Sequence, residues 1–321
     1  MGRVVEALRS RWVRRGFVLL ALAAAVWAVA SQWDEVSSAA VRLGPTTLVA
    51  SLLVSVVFVV MTMLSWRVVL ADMGSHLSLR SAGALFFVSQ VAKYLPGGVW
   101  NILAAAEMGA DHAIPRRRSV SVMAVSLLVS VVTGSALALA AIAVAPGEDA
   151  AAYSWVGWAF PVFLALLAPP VLNRVLGLAL RLTRRPPLEK PVSARGVALA
   201  AAWSVLSWLT AGVQVSLLAV PLGMDLTVGT YALAAGGYAL AWTVGFLVLV
   251  VPAGVGIREA VLGAVLTTQL GTGAVVLVVL LSRVLLTGAD LLLGAVGLLL
   301  ARRGAIPVAE AGEPGTSTAQ R

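Results

Sequence analysis

Ser89-Gln90-Val91-Ala92-Lys93-Tyr94-Leu95-Pro96-Gly97-Gly98-Val99-Trp100-Asn101 interrupts an otherwise apolar run. A helix cannot pass smoothly through Pro96-Gly97-Gly98. Proline lacks a backbone donor and clashes with the preceding turn, and the glycines add backbone freedom. In lipid, each freed backbone group costs several kcal/mol unless protein or a wet cavity receives it. A break that also carries Lys93 and Asn101 therefore reads as a site. A second break follows at Val251-Pro252-Ala253-Gly254-Val255-Gly256-Ile257-Arg258-Glu259. Paired interruptions in corresponding halves are the sequence mark of a transport-type binding site.

The surroundings of these breaks are membrane-like. The 321 residues are 60% hydrophobic and 12% charged, whereas ordinary soluble domains are about 25% charged. The net charge of +9 sits in short basic clusters between apolar runs. That is the positive-inside pattern, which orients spans and implies no nucleic-acid partner. Cysteine is absent, so disulfides and thiolate metal sites are excluded. His76 and His112 stand in separate loops, no metal-ligand spacing occurs, and no Gly-x-x-x-x-Gly-Lys-[Ser/Thr] stretch is present. No metal or other cofactor is expected.

Taken in order, residues 1–16 form a basic cytoplasmic segment ahead of an apolar run, Phe17–Ala30. Arg14-Arg15-Gly16-Phe17 resembles a twin-arginine signal, but a retained first helix is expected because many spans follow. Further spans are expected at Thr46–Trp66, Ser119–Ala145, Tyr153–Ala179, Val197–Val220 and Ala274–Leu300. Prolines 161, 169 and 170 suggest kinks or an early end in the fourth of these six. Every basic cluster falls on one side, which puts both termini in the cytoplasm and the protein in a bacterial-type inner membrane. The tail, 304–321, is small and polar and is expected to be disordered.

The break-containing segments are short. Ser81–Leu95 would reach about 22 Å as helix, less than the ~30 Å hydrocarbon core, so a re-entrant helical hairpin fits. Tyr231–Val251 is long enough to span. Charge bias treats a re-entrant pair and two full spans alike, since both return the chain to the same side. Shifting the chain by 156 residues places Pro96 on Pro252 and Ser119–Ala145 on Val275–Ala301. Three spans plus a hairpin is an odd number of crossings, so the halves, about 17–145 and 153–301, would be inverted repeats. The expected fold is an all-α polytopic membrane protein, about six full spans plus two Pro/Gly-broken re-entrant hairpins.

Lys93, Glu107, Arg258, Glu259, Arg283 and Asp290 are ionisable residues within apolar segments. Each costs a few kcal/mol at a helix centre unless paired or wet. One reading is structural: three cations and three anions form buried pairs, and Arg283 and Asp290, seven apart, share a helix face. The functional reading rests on the half-helix that starts after each break, whose free N–H groups and dipole attract phosphate or carboxylate. Lys93, Tyr94, Pro96, Gly97, Gly98 and Asn101 at the first break, and Pro252, Gly254, Gly256 and Arg258 at the second, would then hold an anionic head group. Glu107 and Glu259 would contact a cationic head, orient the bases or exchange protons. Arg283 and Asp290 would serve coupling or structural pairing. Trp66, Trp100, Trp155, Trp158, Trp203, Trp208 and Trp242 read as interfacial belts or packing. Gly236-Gly237 and Gly294-x-x-Gly297 read as sites of close helix contact.

Lys93-Tyr94-Leu95-Pro96-Gly97 and Pro252-Ala253-Gly254-Val255-Gly256-Ile257-Arg258-Glu259, in this order, resemble the two signature breaks of the lysylphosphatidylglycerol synthase transmembrane, or flippase-like, family. The resemblance covers about Phe17 to Arg303. It implies a lipid-handling membrane fold with re-entrant helices, fused in some members to a soluble aminoacyl-transferase domain. Only a short tail follows Arg303, so lipid aminoacylation is not expected of this chain. The resulting expectation is a lipid translocator for an anionic or zwitterionic phospholipid, with membrane lipids as its partners. The alternative is a non-transporting subunit that presents a lipid to a separate glycosyl- or aminoacyl-transferase.

Overall fold

The computed structural model describes residues 33–94, 100–144, 160–182, 190–248 and 254–302. The expected first span, the Pro96–Gly98 and Pro252 positions, and the C-terminal tail lie outside the described residues. All elements are helical: α1 (Trp33–Arg42), α2 (Pro45–Asp72), α3 (Leu79–Val91) with a 3-10 turn (Ala92–Tyr94), α4 (Trp100–Ala110) and α5 (Arg116–Ala143). They continue with α6 (Phe160–Leu167), α7 (Pro169–Leu182), α8 (Ala194–Ala219), α9 (Val228–Leu247), α10 (Ile257–Leu266) and α11 (Thr272–Arg302).

Among the described residues, four helices are long and apolar enough to cross a membrane: Pro45–Asp72, Arg116–Ile142, Ala194–Leu222 and Thr272–Ala301. Their starts are written in the sequence. Pro45 occupies the first turn of α2, where its missing N–H is no loss. Ser78 caps α3 by accepting from Ser81 N (3.1 Å), and Ser193 caps α8 by accepting from Gly196 N (3.0 Å). Thr227 and Thr230 form a reciprocal capping box at α9.

The span expected at 153–179, with kinks or an early end at its prolines, is interrupted there. Its described part is two short helices, α6 and α7, parted at Ala168 ahead of Pro169-Pro170. Proline fits the first turn of a new helix but not the interior of a continuing one.

The helix ends sort into two faces. At one, Asp72 accepts hydrogen bonds from Ser193 N (2.7 Å) and Ser193 Oγ (2.6 Å), joining the end of α2 to the start of α8. Arg118 donates to Ser75 Oγ (2.8 Å), and Arg80 to Leu300 O (3.3 Å). The starts of α3, α5 and α8 therefore share this face with the ends of α2 and α11. At the other, Leu43, Leu222, Met224 and Leu270 belong to one apolar cluster, gathering the start of α2, the end of α8 and the approach to α11.

Packing is reciprocal. α2 lies along α8, α3 packs on α11, and α9 packs on α5. Glycines set the approach. A Cβ on Gly294 would sit 2.5 Å from Val91 Cγ2 of α3, and one on Gly236 would run into Ala141 of α5. The small-residue pairs singled out in the sequence are thus contact points.

Candidate functional site

α11 carries the site at its middle. Asp290 is ten residues before Leu300, so the carboxylate lies about 15 Å along the helix from that face. The two interrupted segments converge on this stretch from the sides. Lys93 Nζ lies 2.7 Å from Asp290 Oδ2, and Tyr94 donates its hydroxyl to the same oxygen at 2.5 Å. From the second break, Glu259 Oε1 lies 3.5 Å from Arg283 Nε. Its other oxygen, Oε2, accepts from Gly256 N at 2.6 Å. Glu259 is therefore the capping residue of α10, on the third position of the helix, where a carboxylate offsets the free N–H groups.

These contacts redistribute the expected ion pairs. Arg283 and Asp290 do not pair with each other along α11; each reaches across to a different break. The seven-residue spacing put both on one face, but the partners presented by neighbouring helices are closer. Glu107 falls away from this cluster altogether. It lies at the exposed end of α4, gripped by Arg116 through contacts of 2.7–3.0 Å.

Arg258 is different. Its guanidinium lies over the Trp242 ring, 5.4 Å from the centroid. It forms no ion pair among the described residues, and its Nε is buried without a hydrogen-bond partner. Glycine makes room for it. A Cβ on Gly245 would stand 2.5 Å from Arg258 Cγ, and one on Gly254 would stand 2.9 Å from Arg258 Nε. Gly254 (φ +67°) and Gly256 (φ +84°) also take the left-handed conformation that other residues adopt with strain.

A cavity of about 280 Å³ opens between these elements. Lys93, Tyr94, Asn101, Gly254, Arg258, Arg283 and Asp290 all line it, so most of the described residues proposed from sequence come together. Glu259 and Gly256 lie just behind Arg258 and Arg283. The cavity is also lined by groups to which the sequence reading gave no part in a ligand site. Trp66, Phe86, Trp208, Trp242 and Phe246 form its apolar walls, and Thr62, Ser65, Ser126, Ser130 and Ser207 stud them with hydroxyls. Trp66 and Trp208 are each 2% exposed, which makes them core residues and removes them from any interfacial belt. A signal for this wall was present in α5, where Ser126 and Ser130 are one turn apart on a single face of an apolar helix.

Four polar atoms of lining residues are buried with no partner: Arg258 Nε, Trp66 Nε1, Ser126 Oγ and Asp290 Oδ1. Buried polar groups are normally paired because leaving one bare costs about 1–3 kcal/mol. These four residues border one cavity, so its lining carries polar side chains beside the aromatic walls. No group of three or more His, Cys, Asp or Glu with metal-binding geometry occurs among the described residues.

Comparison with individual curated proteins gives no match. A family model described as the lysylphosphatidylglycerol synthase TM region matches residues 16–294, which takes in both interrupted segments and all four long helices except the last turns of α11. The chain belongs to the lysylphosphatidylglycerol synthase TM region family.

Proposed function

We propose that this protein is a lipid translocator of the flippase type, holding an anionic phospholipid head group in the mid-helix cavity between the two breaks. One observation carries the reading. Around the cavity, Lys93 is matched by Asp290 and Arg283 by Glu259, while Arg258 has no carboxylate partner among the described residues. A cation held at membrane depth costs about 2.5–3.5 kcal/mol on insertion scales, and a bound phosphate offsets that cost. The apolar walls below it suit the upper part of a lipid.

The finer architecture follows the same reading. Six spans, two re-entrant hairpins and an inverted repeat of 17–145 with 153–301 are supported by the reciprocal packing of α3 on α11 and α9 on α5. The four half-repeat partners exchange places, as a two-fold axis in the membrane plane would require. No nucleotide-binding motif occurs in the sequence, so transport is downhill, gradient-driven or partner-driven, in an inner membrane with both termini cytoplasmic.

The test is purified protein in liposomes with acyl-labelled phosphatidylglycerol and a membrane-impermeant quencher. Leaflet exchange above the protein-free rate, lost in Arg258→Gln at equal reconstitution, is the expected result. Lipid retained by the wild type without exchange favours the subunit that presents a lipid to a partner transferase. No retention and no exchange overturns the head-group site.

A further inference from the structure

A helix outside the cavity sits at the face that gathers the end of α2 and the start of α8. α7 has 14 residues, about 21 Å of helix and short of a ~30 Å hydrocarbon core. It packs against α6, which in turn packs against α5. Asn173 pins its first turn: the amide donates to Val192 O and accepts from Val192 N, each at 3.0 Å. The next residue, Ser193, bonds Asp72, so this turn lies level with the helix ends of that face. We infer that α7 lies in the plane of the membrane beyond Asn173 and docks its exposed side on an anionic phospholipid surface.

The helix has three sides of different chemistry. Asn173, Arg174, Gly177 and Arg181 share a polar stripe about 100° wide. Leu178 lies about 40° round from Arg174, Val175 about 100° and Leu172 about 160°. Leu172 is fully buried, whereas Val175 is 38% and Leu178 59% exposed. Arg174 and Arg181 are exposed, and neither pairs with a carboxylate among the described residues. An open apolar flank beside an arginine stripe is the pattern of an interfacial helix. The flank enters the acyl boundary, and the guanidinium groups reach back to phosphate level. Charge selects the surface. Between Pro169 and Arg195 the sequence holds Arg174, Arg181, Arg184, Arg185, Lys190 and Arg195 against Glu189 alone. Such an excess beside an amphipathic helix draws an anionic leaflet. An acidic soluble protein would answer the arginines too, but the flank stands where the bundle enters the bilayer, so lipid meets it directly.

The chain contains no cysteine, so one spin label reports one position. Full-length protein labelled at Leu178→Cys, or at Gly177→Cys where an added Cβ meets open space, is reconstituted in nanodiscs. These contain phosphatidylcholine alone or with rising phosphatidylglycerol. Depth is read from relaxation by oxygen, which concentrates among acyl chains, against relaxation by a neutral nickel chelate, which stays in water. The expected result is an oxygen-dominated label at 178 once phosphatidylglycerol is present, with 177 remaining open to nickel. Arg174→Gln/Arg181→Gln should lower the ratio of deep to shallow label at 178 by about tenfold or more. High salt should act in the same direction, and Arg174→Lys/Arg181→Lys should keep the insertion. Equal depth at 178 in phosphatidylcholine alone, or equal loss in the lysine variant, overturns the recognition of anionic charge. Equal depth at 177 and 178 overturns the in-plane placement. A label at 178 open to nickel in every bilayer overturns the docking and leaves the face to an acidic soluble partner. The readout is local to α7, so it stands or falls apart from the head-group site.

Discussion

Asp290 is a buried charge and Arg258 a partly buried one, and their surroundings demand opposite responses to neutralisation. Asp290 is 1% exposed and holds Lys93 and Tyr94 on one oxygen. Asp290→Asn strands the Lys93 ammonium, and breaking a buried pair from one side costs about 3–5 kcal/mol. Because the Lys93 side chain is 29% exposed, water screens part of that loss and the lower end applies. A thermal melt of the purified variant in detergent should show a clear drop, with most of it recovered in Lys93→Met/Asp290→Leu. Arg258→Gln removes a charge that has no carboxylate partner among the described residues, so the melting temperature should stay level or rise while lipid retention falls. A large loss of stability in Arg258→Gln, restored by Glu259→Gln, would make Arg258 a scaffold residue. The sequence made Lys93, Arg258 and Asp290 legible because charge is rare in apolar runs. It left their pairing illegible, because helical spacing places side chains on a face but says nothing of which neighbour packs there. The hydroxyl and tryptophan wall was hidden for a related reason: Ser, Thr and Trp are ordinary in membrane helices until several helices aim them at one space.

Among elements, the contact of α3 with α11 decides whether Lys93 reaches Asp290. Gly294 meets Val91, and Gly297 meets Val88 Cγ2 at 3.0 Å and the Ala84 carbonyl at 3.2 Å for an added Cβ. Gly294→Val forces α3 outward two residues before Lys93, and overpacking of this kind typically costs about 1–3 kcal/mol. The expected outcome is a lower melting temperature together with weaker lipid retention, since the displaced turn carries Lys93 and Tyr94. Gly288, on the same helix, has only Leu52 Cδ1 at 3.8 Å. Gly288→Ala should be neutral or slightly stabilising through helix propensity, and equal damage from the two substitutions would remove the close contact as the cause. At this scale the sequence was most readable where punctuation was strong. Pro45, Ser78, Ser193 and the Thr227–Thr230 pair each start a helix, and Gly-x-x-Gly marked a real crossing. The stretch at 153–179 was expected to kink or end early at its prolines, and its described helices part at Ala168, ahead of Pro169-Pro170.

For the whole molecule, topology rests on two independent lines that meet. In the orientation we propose, the basic clusters at Arg116–Arg118 and around Arg195 mark the cytoplasmic ends by the positive-inside rule. Separately, the hydrogen bonds of Asp72 with Ser193, Arg118 with Ser75 and Arg80 with Leu300 gather the same ends on one face. Asp225 follows the end of α8 at the opposite face, beside Met224 and Leu222 of the second apolar cluster. The inverted repeat we propose, with an odd number of crossings per half, would account for the packing of α3 on α11 and of α9 on α5, which only three-dimensional packing reveals. The native chain has no cysteine, so single cysteines report cleanly. Cysteine at 117, 195 or 80, all exposed positions, should react with a membrane-impermeant maleimide only after lysis, and cysteine at 225 should react in intact cells. Labelling of 117, 195 and 80 from outside, with 225 protected, would keep the fold and invert the orientation. Labelling of 117 and 195 from different sides would break the shared face itself, and with it the antiparallel pairing of α2 and α8 on which the cavity is built.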